Sequence, residues 1–183
     1  MSFDIYTVYS YIYLEHETIE IIDKYCYHNN AFRYKCYKIN NITKQYLFEN
    51  LNSDYLNFKH ITLYKRKYKS AFEVKTNVYT KMFCIDIDYD VSIDDLSKNE
   101  LFEYIFLITK SKSGVHAFVK LSDYVTHDTI SLFRNFISNK IKHHESYITI
   151  NQLVTPPGFK DVDKLYKNDI IYFNSKSKNI TLF

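Results

Sequence analysis

Two short stretches hold residue types whose spacing could do chemistry. In "FCIDIDYD", residues 83–90, an apolar run ends in aspartates. Strand side chains alternate between faces, so Asp86 and Asp88 share one face while Ile85 and Ile87 point to the core. Two adjacent carboxylates repel each other unless a cation lies between them. Such a pair at the end of an apolar strand suits a divalent ion held by oxygen, Mg²⁺ or Mn²⁺. A strand running out into an acidic loop is the plainer alternative, but aspartates inside "CIDID" are costly without a ligand. In "SKSGVHAFV", residues 111–119, Gly114 frees the backbone for positive φ or for close approach to a ligand. Ser111, Lys112, Ser113 and His116 add hydroxyls, an ammonium and an imidazole, and with backbone N–H groups they would make a phosphate cradle. A serine-rich turn followed by a hydrogen-bonded histidine is the alternative here. The chain has only two glycines, the other being Gly158 in "VTPPGFK". Glycine this scarce is kept only where the backbone needs it.

The elements that must position these residues read as α+β, with a mixed or antiparallel central sheet flanked by helices. Residues 17–28 have helical spacing of apolar groups, and 42–51 look like a short helix capped by Asn41 or Thr43. Residues 61–78 suggest strands or a basic loop. Residues 81–90 form a strand and 92–104 a helix with an acidic start. "YIFLITK" and "VHAFVKL" are strands of a hairpin joined by "SKSG". Residues 126–143 predict an amphipathic helix with Ile130, Phe133, Phe136, Ile137 and Ile141 on one face. "YITINQLV" and "DIIYFNSKSKNITLF" close the chain as strands. We expect one domain over 1–183, with a basic-aromatic part at 1–80 and a metal and nucleotide core at 81–183.

Composition adds bounds. Tyr, Phe, Lys, Asn and Ile are the residues of A/T-rich codons, so the aromatic content is discounted as a functional signal. The net charge of +3 does not by itself imply nucleic acid. Three cysteines give no disulfide framework and suggest a reducing compartment. Cys26, His28 and Cys36, with His16 or His60, fit no usual zinc spacing. No apolar run spans a bilayer and the start is no signal peptide, so the expected location is intracellular, in the cytoplasm or host nucleus.

An apolar strand ending in Asp-x-Asp, then a helix, then a hairpin with Ser-x-Ser-Gly-x-His-x-aromatic resembles the archaeo-eukaryotic primase superfamily. Phe83 to Asp88 match its first motif. Ser111 to His116, with Phe118 following, match the second. "YITINQLVTPPGF" is similar to the segment of the third motif, with Gly158 in its turn. Upstream, "AFRYKCYKINNITKQYLFENLNSDYLNFKHITLY" is similar to the family's basic-aromatic element, helix and strand. The compact size resembles small viral primases of the baculovirus late expression factor type. The resemblance implies a primase catalytic-subunit-like fold and template-directed nucleotidyl transfer in DNA replication. Asp86 and Asp88 would hold two Mg²⁺ or Mn²⁺ ions. Ser111, Ser113, Gly114 and His116 would bind the phosphates of a nucleoside triphosphate, with Lys112 added on charge alone. Single-stranded DNA would be the template, and a second primase subunit or a helicase the partner.

The third motif departs from the family. In the most natural register its aspartate is replaced by His143, followed by His144 and then Glu145. A short deletion brings in Glu145, which we take as the third metal ligand; Asp161 and Asp163 lie past the turn. The family's last-strand arginines are missing, with Gln152 and Thr155 in their places, and Lys160 would supply part of that charge. Arg33, Lys65, Arg66 and Lys67 are candidate template contacts, the last three within "LYKRKYKS", where cations interleave with rings. Two alternatives remain. One is a catalytically degenerate primase-like subunit that binds nucleic acid. The other is a phosphatase of the haloacid dehalogenase type, which also uses an apolar strand ending in Asp-x-Asp.

Overall fold

The computed structural model describes residues 3–14, 17–29, 32–66, 78–132, 137, 139–140, 148–151, 153–160 and 166–181. In chain order the elements are α1 (Ile5–Ile12), β1 (Thr18–Asn29), β2 (Phe32–Thr43), α2 (Lys44–Glu49), β3 (Lys59–Thr62), β4 (Tyr64–Arg66) and β5 (Val78–Ile87). There follow α3 (Ile93–Ser97), β6 (Ile105–Lys110), β7 (Val115–Thr126), α4 (His127–Leu132), β8 (Ile148–Asn151), β9 (Leu153–Val154) and β10 (Ile170–Phe173). The fold is α+β, with two antiparallel sheets and few, short helices. The chain divides into two compact units, Met1–Thr62 with Leu153–Asn168, and Leu63–Gln152 with Asp169–Phe183.

The first unit holds a sheet in the order β2-β1-β3-β9. Its helix α1 is capped by Asp4, whose carboxylate accepts from the Tyr6 and Thr7 N–H groups, and it buries Val8, Tyr9 and Ile12. Buried tyrosine hydroxyls need acceptors. Tyr9 donates to the Pro157 carbonyl and Tyr13 to the Thr62 carbonyl, each at 3.1 Å. Thr43 caps α2, one of the two caps expected there. Residues 17–28 are a strand and not the expected helix. Their apolar spacing also fits a strand, because Ile19 and Ile21 alternate around Glu20 and are both buried. Pairing of β1 with β2 along its whole length and with β3 at Ile21–Asp23 decides the matter in favour of its β-branched residues.

The second unit is built on a sheet in the order β10-β6-β7-β5-β4, with β8 pairing β5 beyond β4. Every strand neighbour of β5 is antiparallel to it. One face of this sheet buries Phe83, Ile85, Ile87, Ile108, Val115, Ala117 and Val119 under Leu96, Leu101, Ile130 and Ile137. The expected helix over 92–104 is two pieces. Ser92 caps α3, and Asn99 caps a separate 3₁₀ turn at Glu100–Tyr104, which interrupts the run. Of the expected helix at 126–143 the described part is α4 with residues 137, 139 and 140. Ile130 and Ile137, seven apart, are both buried, as one helical face requires. Phe133, Phe136 and Ile141 lie outside the described residues. The C-terminal segment is a strand only at β10, with one further bridge from Ile180 to Leu121. Among the described residues no helix is long and apolar enough to cross a membrane.

Candidate functional site

Strand β5 is covered on both faces along Met82–Ile85, which is why it reads as a continuous apolar run. Polarity begins at Asp86, whose side chain is 21% exposed. Register sets Asp86 between His116 of β7 and Thr149 of β8. The His116 Nε2 lies 3.3 Å from Asp86 Oδ1. His116 is 15% exposed, and its Nδ1 is buried with no hydrogen bond among the described residues. Two residues on, Asp88 accepts a hydrogen bond of 3.1 Å from Ser113 Oγ. After two more, Asp90 pairs with Lys110 Nζ at 3.0 Å. The acidic exit of β5 is thus met rung by rung by the β6–β7 hairpin. The outermost rung is an exposed ion pair, which contributes little to stability.

Gly114 explains how the hairpin reaches the strand. A Cβ at this position would stand 1.8 Å from the Ile87 carbonyl oxygen and 2.8 Å from that of Tyr89. The glycine is required by close approach to the backbone on either side of Asp88, and its φ is not positive. The turn is closed from within. Ser111 N–H donates to the Gly114 carbonyl at 2.9 Å, and Ser111 Oγ accepts from Gly114 N–H at 3.0 Å. Ser111 is accordingly buried, whereas Lys112 and Ser113 are exposed at the tip. Their N–H groups donate to nothing among the described residues, so they and the Lys112 ammonium are the donors left for a phosphate.

Cys84 shares the Asp86 face one pleat inward. Burial pushes its thiol well up, and the Asp86 charge adds to this, so it is no nucleophile. Asp86 and Asp88 fit a hard dication that keeps several waters, since Mg²⁺ is commonly held by one or two carboxylates plus substrate phosphates. Among the described residues no group of three His, Cys, Asp or Glu stands ready to hold a metal ion. Glu145, His143, His144, Asp161, Asp163, Gln152 and Lys67 lie outside the described residues.

No protein-family model matches the chain, and no curated protein sequence is similar to it.

Lys160 belongs to the first unit. It is exposed, its N–H donates to Asn57 Oδ1 at 2.9 Å, and its carbonyl accepts from Phe58 N–H at 2.9 Å. Arg33 sits in β2 opposite His28, while Lys65 and Arg66 in β4 stand opposite Tyr79 and Val78. Cys26 and Cys36 are not register partners: Cys26 pairs with Lys35 and Cys36 with Tyr25. The sequence reading missed Lys110 and Asp90. The signal was present, because the i, i+2 spacing of the aspartates continues through Asp90.

Proposed function

We propose that the chain is a primase-like nucleotidyltransferase that joins nucleotides on a single-stranded DNA template. One observation carries this reading. The two motifs, some 25 residues apart, meet so that Ser113 contacts Asp88 and His116 contacts Asp86. A carboxylate pair beside a hairpin tip with free donors suits attack of a 3′-hydroxyl on the α-phosphate of a nucleoside triphosphate, with pyrophosphate as the leaving group. Asp86 and Asp88, joined by Glu145, would hold Mg²⁺ or Mn²⁺. Bound there, the dication would polarise the nucleotide phosphates and favour deprotonation of the attacking hydroxyl. The chain's own contributions are distinct. Lys112 and Ser113 would orient the triphosphate, and His116 would donate to it. Ser111 and Gly114 keep the tip seated on β5. A second primase subunit or helicase would complete the assembly.

The test is primer synthesis on single-stranded DNA with Mg²⁺ or Mn²⁺, with and without ribonucleotides. Extended products that need metal and template are expected. Release of phosphate from small esters without synthesis would overturn the proposal in favour of a phosphatase. That alternative has less support, because a haloacid dehalogenase-type sheet alternates strand and helix with parallel strands, whereas β5 is antiparallel to each neighbour. Binding of DNA without synthesis would overturn the proposal in favour of a degenerate primase-like subunit.

A further inference from the structure

Lys110 ends β6, one residue before the turn that Ser111 closes. Its backbone is held on both sides. It pairs in register with Val115 of β7, and its N–H donates to the Asp169 carbonyl at 2.8 Å. From this fixed point the side chain crosses to the exit of β5, where its ammonium lies 3.0 Å from Asp90 Oδ1. The two partners differ in their surroundings. The Lys110 side chain is 36% exposed, whereas that of Asp90 is 93% exposed. The lysine is mostly covered by its neighbours, while the carboxylate stands almost wholly in water. Such a carboxylate holds a cation weakly, because water screens the charge and competes for the donors. The ammonium is placed by β6 and not by Asp90.

Its position beside the candidate site gives this lysine a second partner to choose. Ser113, on the other side of the same turn, donates to Asp88. Lys110 and Ser113 thus bracket the turn, and both reach the segment Asp88–Asp90. Asp88 and Asp90 are two residues apart, at most about 7 Å between Cα atoms. A triphosphate seated on Ser113 therefore comes within reach of the Lys110 ammonium. The exit carries three aspartates between residues 86 and 90. In the proposed site Asp86 and Asp88 hold the dication, which leaves Asp90 as the carboxylate that competes with substrate for the lysine. That competition is unequal. Asp90 offers one charge in water, whereas a triphosphate offers more charge and several acceptor oxygens.

We infer that Lys110 is a substrate-binding residue that leaves Asp90 for a bound triphosphate, so that Asp90 is a built-in competitor for the same ammonium. This rests on the nucleotidyl-transfer reading of the site. It adds to that reading a contact that is exchanged when substrate arrives, and it gives the two members of one ion pair opposite effects on affinity. A pair that only braced the hairpin against β5 would give both members the same effect.

Two probes are titrated into the whole chain with Mg²⁺ and no template: a fluorescently labelled adenosine triphosphate, and inorganic tripolyphosphate, which displaces it. Lys110→Gln should weaken both by about five-fold or more, as loss of a charge-assisted hydrogen bond in a partly exposed site does. Asp90→Asn should act with the opposite sign and tighten both by about two- to five-fold. In the Lys110→Gln background the gain from Asp90→Asn should vanish, since it acts through the lysine. Lys98→Gln breaks a comparably short exposed pair with Asp95 and should change nothing. None of these residues belongs to the apolar core, so the variants are expected to fold. Weaker binding in both Lys110→Gln and Asp90→Asn would make the pair a structural brace. A gain from Asp90→Asn that persists without the lysine would reduce Asp90 to simple repulsion. Either result overturns the inference, as does a wild-type chain that does not hold tripolyphosphate. Failure of the underlying reading looks different: Lys110-dependent binding of tripolyphosphate with no primer synthesis keeps the anion contact and removes the nucleotidyltransferase.

Discussion

Gly158 and Gly114 both sit in turns, and each meets a different physical demand. At Gly158 the demand is conformational. Phe159 N–H donates to the Pro156 carbonyl at 3.1 Å, Pro157 occupies the second position, and Gly158 in the third has φ 84°. That is the pattern of a type II turn, which needs a left-handed residue at this point. At Gly114 the demand is contact, because the hairpin is pressed onto the β5 backbone more closely than any Cβ permits. A conformational glycine can be replaced by another residue that tolerates positive φ. A contact glycine has no substitute. The contact glycine is the one at the candidate site.

The comparison can be broken in order of expected effect. Gly114→Ala should be the most damaging single change, costing about 3 kcal/mol or more in denaturant unfolding and abolishing synthesis, because the neighbour is backbone and cannot swing aside. A folded, active Gly114→Ala chain would remove the contact argument. Asp86→Ala with Asp88→Ala should abolish synthesis too, but with stability within roughly 1 kcal/mol of wild type, since neither carboxylate is part of the apolar core. Together these two variants separate placement of the hairpin from the chemistry it serves. His116→Ala should raise the apparent KM for nucleotide several-fold, a charge-assisted hydrogen bond being worth about 1.5–3 kcal/mol, while leaving template affinity alone. An unchanged KM would take His116 out of the phosphate role. Gly158→Ala should cost only about 1–2 kcal/mol, and Gly158→Asn less, measured by thermal melting. If Asn is as costly as Ala there, the turn argument is wrong.

The smallest effect separates the two units by pH. In the second unit burial raises the Cys84 thiol above its ordinary 9.0. In the first, burial raises the Tyr9 and Tyr13 hydroxyls above their ordinary 10.0. A raised acid holds its proton in the folded chain after the unfolded chain has released it. Stability is thus complete below the unfolded value and falls as pH rises past it, by up to about 1.4 kcal/mol per pH unit for each group. Unfolding measured from pH 8 to 11 should weaken first near 9, and Cys84→Ala should delay the onset toward 10. An unchanged onset would mean that the thiol is not buried.

Local sequence was enough for features whose signal is local. Thr43 capping α2, the β6–β7 hairpin, the strand through Phe83–Ile87 and the glycine turns could all be read from a few neighbouring letters. The Asp-x-Asp and Gly-x-His motifs could be picked out as candidates for the same reason. Residues 17–28 were misread because Ile19, Ile22 and Cys26 satisfy a helical period while Ile19 and Ile21 satisfy a strand period. Only the long-range partners β2 and β3 choose between them. The interruption at Asn99 was missed because its cap competes with a helix that the flanking residues favour.

The sequence by itself singled out Asp86, Asp88 and His116 as candidates for chemistry and Gly114 and Gly158 as backbone positions to explain, because side-chain type and alternation are properties of the chain. Tertiary structure alone decided what they touch. It set His116 against Asp86, Ser113 against Asp88 and Lys110 against Asp90, and it gave Gly114 a protein carbonyl for a neighbour. These are matters of register between strands far apart in the chain. A slip of one residue would reverse every face, so such facts cannot be read from either strand alone.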